Sequence, residues 1–190
     1  MQAKSNKIIL GSQSPRRLEI LSDAGFEVQV VKPEIEERYP YDLNYYKVAE
    51  YISKLKMFDI YSYLGEDNDL IICADTVVIF ENKLIGKPKN LDQAFRILKA
   101  MNGKPHEVIT GVSMRRNKKQ LSFSEQAKVK FKTLKDDDIR HYVDHFKPLD
   151  KAGSYNIQEY VGVDSIEGEF HNVMGLPLKR VLLEIKNWNK

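Results

Sequence analysis

Apolar positions recur along the chain in two rhythms, one of strands and one of helices. Ile8, Ile9 and Leu10 form a short apolar run, read as a strand over 7–10. Ser14 as N-cap and Pro15 at the first helical position then predict a helix over 15–24, with Gly25 as its stop. Residues 26–31 alternate as a second strand, and 32–43, polar and tyrosine-rich with two prolines, read as a loop. Val48, Ile52 and Leu55 carry helical spacing through 44–64. Residues 69–80 are apolar and β-branched, and Ala74-Asp75-Thr76 is expected to break that run in its middle. A turn at Glu81-Asn82 leads into a strand over 83–85, which ends at Gly86-Lys87-Pro88. Ala94, Ile97, Leu98 and Met101 line one face of a helix over 92–101. Strands over 108–115 and 120–131 meet at a turn around Asn117, and a helix over 136–146 opens on three acidic residues. A loop containing Gly153 leads to a mixed region, and a last helix spans 176–188 with Pro177 early in it. The sum is a single α/β unit over residues 1–190 with a long mixed β-sheet, without repeats or linkers.

Within this pattern a few residues stand out for their chemistry. The helix opened by Ser14 and Pro15 begins with Arg16 and Arg17, so free N–H groups, a positive dipole end and two guanidiniums converge. That suits a polyanion such as phosphate, although solvated arginines on a surface helix would give the same pattern. Asp75 lies among strongly apolar neighbours, where an unpaired charge costs several kcal/mol, on the order of magnitude. It is a metal ligand, a general base, or a strand-end carboxylate paired with a lysine. Lys87 sits in a tight Gly-Lys-Pro turn, and Lys56 lies one turn beyond Ile52, near the buried face of its helix. The segment 150–158 is rich in hydrogen-bonding side chains, and Gln158 offers a paired donor and acceptor able to read a base edge. Glu36 and Glu37 follow the second strand, and either could join Asp75 on a hard divalent cation. His106, His141, His145 and His171 lack zinc-ligand spacing. No P-loop, dinucleotide fingerprint or nucleophile elbow is present.

Composition narrows the classes. The 190 residues carry 30 basic and 27 acidic side chains, net +3, a balance that argues against a nucleic-acid partner. No apolar run is long enough to span a bilayer, and the polar N-terminus does not read as a secretory signal. Cys73 is the only cysteine; it falls in an apolar run, reads as a buried structural thiol, and fits a cytoplasmic protein.

Six stretches in order resemble the Maf family of nucleotide pyrophosphatases. They are Ser12-Gln13-Ser14-Pro15-Arg16-Arg17, Ala74-Asp75-Thr76-Val77-Val78, Gly86-Lys87-Pro88, His106-Glu107-Val108-Ile109-Thr110-Gly111, residues 150–158, and Asn172-Val173-Met174-Gly175-Leu176-Pro177. The resemblance implies a single Maf-like, inosine-triphosphatase-like α/β unit, its long mixed sheet flanked by helices, with a cleft between two lobes. It implies cleavage of a nucleoside triphosphate to a monophosphate and pyrophosphate with a divalent cation, Mg²⁺ or Mn²⁺, held by Asp75 and Glu36. By the same resemblance Asp75 is the proton acceptor and Arg16, Thr76 and Gln158 are specificity positions. The same resemblance implies that Ser12, Arg17, Lys56 and Lys87 bind the substrate. The Asp-Thr and Ile-Gln pairs look like the branch acting on dTTP and UTP. The alternatives are the same cleavage of 7-methyl-GTP or another modified nucleotide, and a non-catalytic nucleotide or nucleic-acid binder. Glu159 departs from the family's usual glycine and would alter the rim of a base pocket. A nucleoside triphosphate is the expected partner, and a homodimer is compatible with the sequence.

Overall fold

The computed structural model describes residues 7–65 and 69–188; residues 1–6, read above as a polar lead into the first strand, lie outside them. The chain runs β1 (Lys7–Gly11), α1 (Pro15–Asp23), β2 (Glu27–Val30), α2 (Tyr45–Leu64), β3 (Leu70–Phe80), β4 (Lys83–Ile85) and α3 (Leu91–Met101). It continues as β5 (Pro105–Arg116), β6 (Lys119–Phe131), α4 (Asp136–Phe146), a 3-10 turn at Ala152–Ser154, β7 (Val163–Glu167), α5 (Phe170–Met174) and α6 (Leu178–Trp188). The seven strands form one mixed sheet in the order β2-β1-β3-β5-β6-β7, with β4 paired to β3. β1 runs parallel to β2 and β3, and the remaining pairs are antiparallel.

β3 is the centre of the architecture, and here the structure corrects the sequence reading. The strand is continuous through Ala74-Asp75-Thr76, because β5 pairs with it along its whole middle, Asp75 opposite Gly111 and Thr76 opposite Thr110. What is interrupted is the other edge. β1 ends with Gly11 opposite Cys73, and β4 begins with Ile85 opposite Val78. Among the described residues, 74–77 therefore have no strand beside them on that edge. The same gap lies at the carboxyl end of β1, the place where α/β sheets open to ligands.

Side chains alternate across β3 as a strand requires. Leu70, Ile72, Ala74, Val78 and Phe80 join the main core, which packs against α1, α3, α4, α5 and α6. Ile71 and Cys73 face Met57 and Ile60 of α2, and Ile79 faces Ala49. Each of these fully buried Ile or Leu side chains stabilises the fold by roughly 1.5–3 kcal/mol. α2 lies close to the sheet because Gly111 has no side chain: a Cβ there would stand 2.2 Å from the Glu50 nitrogen. That approach sets the depth at which later residues of α2 meet β3. Cys73 is fully buried and its thiol is pushed up to about 12 by burial, as expected of a structural thiol. The last region differs from expectation. Gly175 (φ 116°) ends the short α5, and the terminal helix starts at Leu178, after Pro177. No helix among the described residues is long and apolar enough to cross a membrane.

Candidate active site

A cleft of about 650 Å³ opens at the gap in the sheet. Its size is that of ordinary small-molecule sites. The turn after β1, the extended segment after β2, α2, the middle of β3, the β3–β4 hairpin and the 150–157 segment contribute to its walls.

On the α2 side the site is built from charges. Lys56 is buried, and its Nζ lies 2.7 Å from Asp75 Oδ1 and 2.7 Å from Glu37 Oε1. The lysine thus bridges two carboxylates, and each keeps one oxygen without a protein partner among the described residues. Burial is the largest influence on Asp75 and raises its pKa; the charges of Lys56 and Arg17 pull the other way without cancelling it. Glu37 is half-exposed: burial raises its pKa, but the hydrogen bond and charge of Lys56 together with the charges of Lys87 and Arg17 outweigh that, and its pKa falls. Lys87 stands at the cleft, where its charge acts on Glu37, and it makes no hydrogen bond or ion pair with the described residues.

On the other face of β3 the site is built from hydrogen bonds. Arg17 is buried, and its Nε donates to the Gly175 carbonyl (2.8 Å), one terminal nitrogen to Ser12 Oγ (2.9 Å) and the other to Thr76 Oγ1 (3.1 Å). Thr110 Oγ1 donates to the Asn172 carbonyl at 2.8 Å, so the 2.9 Å contact between the two threonine hydroxyls runs from Thr76 to Thr110. The Thr76 proton is therefore engaged inside the protein. Ser12 is arranged the opposite way. Its oxygen accepts from Arg17 and from the Ser14 N–H (3.2 Å), which leaves its proton for a ligand. Ser14 makes no side-chain cap, so the first-turn N–H groups of α1 stay without one. Arg16 is held more lightly, through Nε to the Met174 carbonyl at 3.3 Å.

The structure thus brings Ser12, Arg16, Arg17, Lys56, Asp75, Thr76 and Lys87 to one cleft. It does not bring Glu36 or Gln158 there. The Glu36 carboxylate is exposed and pairs with Arg38 at 2.6 Å, while Glu37 faces the site. The segment after β2 is extended and alternates, so Pro33, Ile35, Glu37 and Tyr39 share the cleft side and Glu36 takes the other. The apolar parity of Pro33 and Ile35 is the sequence signal that would have selected Glu37. Gln158 and Glu159 are both exposed and outside the cleft wall, because the chain turns there: the Glu159 and Tyr160 N–H groups both reach back to the Asn156 carbonyl. Asn156 and Tyr155 line the cleft instead.

Compared with protein-family models, residues 7–188 match the family described as Maf-like protein. The chain belongs to the Maf-like family. Among curated relatives of this Maf-like chain is a dTTP/UTP pyrophosphatase of Bacteroides thetaiotaomicron, 42% identical over 184 residues, covering 95% of each chain. Another is a dTTP/UTP pyrophosphatase of Porphyromonas gingivalis, 42% identical over 194 residues, covering 98% of this chain and 96% of the relative. The dTTP/UTP pyrophosphatase of Thermosipho melanesiensis is 43% identical over 176 residues, covering 92% and 93%. Among solved structures, the Ham1 protein of Staphylococcus aureus matches 95% of this chain and 99% of its own with a TM-score of 0.50 at 14% identity, a likeness of fold.

Proposed function

We propose that this Maf-like chain is a nucleotide pyrophosphatase that hydrolyses dTTP and UTP to the nucleoside monophosphate and pyrophosphate. The observation that carries the reading is the Asp75–Lys56–Glu37 triangle in a cleft that also holds Ser12, Arg16, Arg17 and Lys87. A carboxylate with raised pKa beside several phosphate-binding cations is more than a binding module needs. The dTTP/UTP pyrophosphatases at 42% identity support the substrate class.

The donor set suits Mg²⁺ or Mn²⁺. Asp75 and Glu37 each offer a free hard oxygen, and such ions take one or two carboxylates together with phosphate oxygens. Bound there, the cation would supply charge neutralisation on the triphosphate and a more acidic water. Asp75 accepts the proton of the water that attacks the α-phosphorus. The new P–O bond forms as the bond from the α-phosphorus to the bridging oxygen breaks, and pyrophosphate leaves with the bonding pair. Lys56 holds Asp75 in place, while Arg16, Lys87 and the Ser12 hydroxyl bind phosphate oxygens as charge shifts to the leaving group.

The test is a panel of dTTP, UTP, CTP and 7-methyl-GTP with Mg²⁺ or Mn²⁺, with monophosphate and pyrophosphate quantified. dTTP and UTP are expected to give equal amounts of both products. Release of inorganic phosphate instead of pyrophosphate, or a clear preference for the methylated purine, sinks the reading.

A further inference from the structure

Asn156 is a buried polar side chain of the cleft that neither the phosphates nor the proton transfer explain. It lines the wall and is 7% exposed. Its backbone is pinned: the N–H donates to the Tyr142 hydroxyl at 2.9 Å, and the carbonyl accepts from Glu159 and Tyr160. Its Oδ1 accepts the Gln158 N–H at 3.3 Å, which fixes the orientation of the amide. Nδ2, on the opposite side, has no protein partner among the described residues. A rigid, mostly buried donor is thus left for a ligand.

The surroundings choose the part of the ligand. Lys151, the cation of this wall, is paired with Asp150 at 2.8 Å, and that carboxylate repels phosphate. Tyr155 and Ile157 beside Asn156 are apolar and buried. The segment packs past Val78: a Cβ on Gly153 would stand 3.2 Å from the Val78 side chain. Val78 is three residues beyond Asp75, about 10 Å along the strand, roughly the length of a nucleoside. A flat, uncharged ring fits this end and the triphosphate fits the other.

We infer that Asn156 reads the base, its Nδ2 amide donating to the 4-oxo group of uracil or thymine. Cytosine presents a 4-amino donor at that position, so two donors would face each other without an acceptor. The 2-oxo group, common to both bases, cannot discriminate. The inference rests on the pyrimidine triphosphate reading above and adds the atom that selects within it.

The experiment measures kcat/KM for UTP and CTP, and for dTTP and dCTP, in the wild type, Asn156→Ala and Asn156→Asp. The aspartate keeps an acceptor for the Gln158 N–H and replaces the donor with an acceptor. We expect the oxo-over-amino preference to fall about tenfold in Asn156→Ala and further in Asn156→Asp. Each ratio is internal to one preparation, so a loss of folded protein does not imitate the result. An unchanged ratio in both variants, with all four substrates falling together, overturns the inference while leaving the pyrophosphatase reading intact. If the wild type releases pyrophosphate from none of the four, the pyrophosphatase reading fails and the inference falls with it.

Discussion

Asp75 and Thr76 are neighbours on β3, and their side chains leave the sheet by opposite faces into two kinds of environment. Asp75 enters a group of formal charges, in which one ammonium serves two carboxylates and each carboxylate retains a free oxygen. Thr76 enters a chain of directed hydrogen bonds from Arg17 to Asn172, in which its proton and one lone pair already have partners. Charges without a complete set of partners can exchange them for a ligand at small geometric cost. A saturated hydrogen-bond chain resists rearrangement, since every broken link leaves a buried polar group. In the function proposed above the first kind of wall does the chemistry, and the second fixes Arg17 and the Gly175 carbonyl across the open edge of the sheet. The resemblance to known family members implies a specificity role for Thr76; in the structure its hydroxyl accepts from Arg17 and donates to Thr110.

The sharpest way to break this comparison is to remove one member from each side. Asp75→Asn keeps the shape and deletes the proton acceptor, so kcat should fall by about 10³-fold, with a melting temperature close to wild type or above it. Arg17→Met should show the converse emphasis. Gly175, Ser12 and Thr76 each lose a buried donor, and unfolding stability should fall by about 3 kcal/mol. Arg17→Lys should not restore it, because a single ammonium cannot span three acceptors arranged for a guanidinium. Melting curves and kinetics on the same samples separate the two. A destabilised Asp75→Asn with residual full activity, or a fully stable Arg17→Met, would erase the distinction.

The hydrogen-bonded face also contains a histidine that sharpens the contrast. His106 is buried against Phe131 and Tyr155, with Nε2 2.7 Å from the Tyr155 hydroxyl, and burial lowers its pKa to about 4. Above about pH 6.5 the ring is neutral both folded and unfolded, and it adds no pH dependence. Between 6.5 and about 4 the unfolded chain takes up a proton that the folded chain refuses, so stability falls with pH. The loss at pH 4 is on the order of 3 kcal/mol. Denaturant titrations of wild type and His106→Gln at pH 7.5 and 4.5 measure it: the variant should lose distinctly less stability between the two. Equal losses would mean that this ring titrates normally.

How far the sequence revealed this site depends on the distance over which each feature is decided. The Ser14-Pro15 helix start, the apolar faces of β3 and the isolated carboxylate at Asp75 are local, and they were legible. The continuity of β3 was not, because a polar Asp-Thr pair inside an apolar run is tolerated only where β5 covers one edge and the other is left open. Both conditions come from strands distant in the chain. Gln158 has the side chain expected of a base reader, but the turn that begins at Asn156 carries it to the surface. The same turn hides Asn156, whose free amide follows from a hydrogen bond that no residue pattern announces. The resemblance to a family named most of the other candidates, and it named Glu36 where the alternation after β2 turns Glu37 to the cleft.

Those glutamates give the smallest effect and a clean control. Glu36→Gln breaks only an exposed pair with Arg38, of the sort worth 0–1 kcal/mol, and should leave kcat/KM within about twofold of wild type. Glu37→Gln keeps the size of the side chain and a hydrogen-bonding oxygen, yet removes one of the two charges on Lys56 and one of the two free hard oxygens. Activity should fall by about tenfold or more, and the concentration of Mg²⁺ or Mn²⁺ needed for half-maximal rate should rise. The metal titration is the informative arm. If Glu36→Gln shifts it and Glu37→Gln does not, the alternation after β2 has been assigned to the wrong side. If neither shifts it, Asp75 acts on the cation without help from this segment, and the role of Glu37 reduces to holding Lys56.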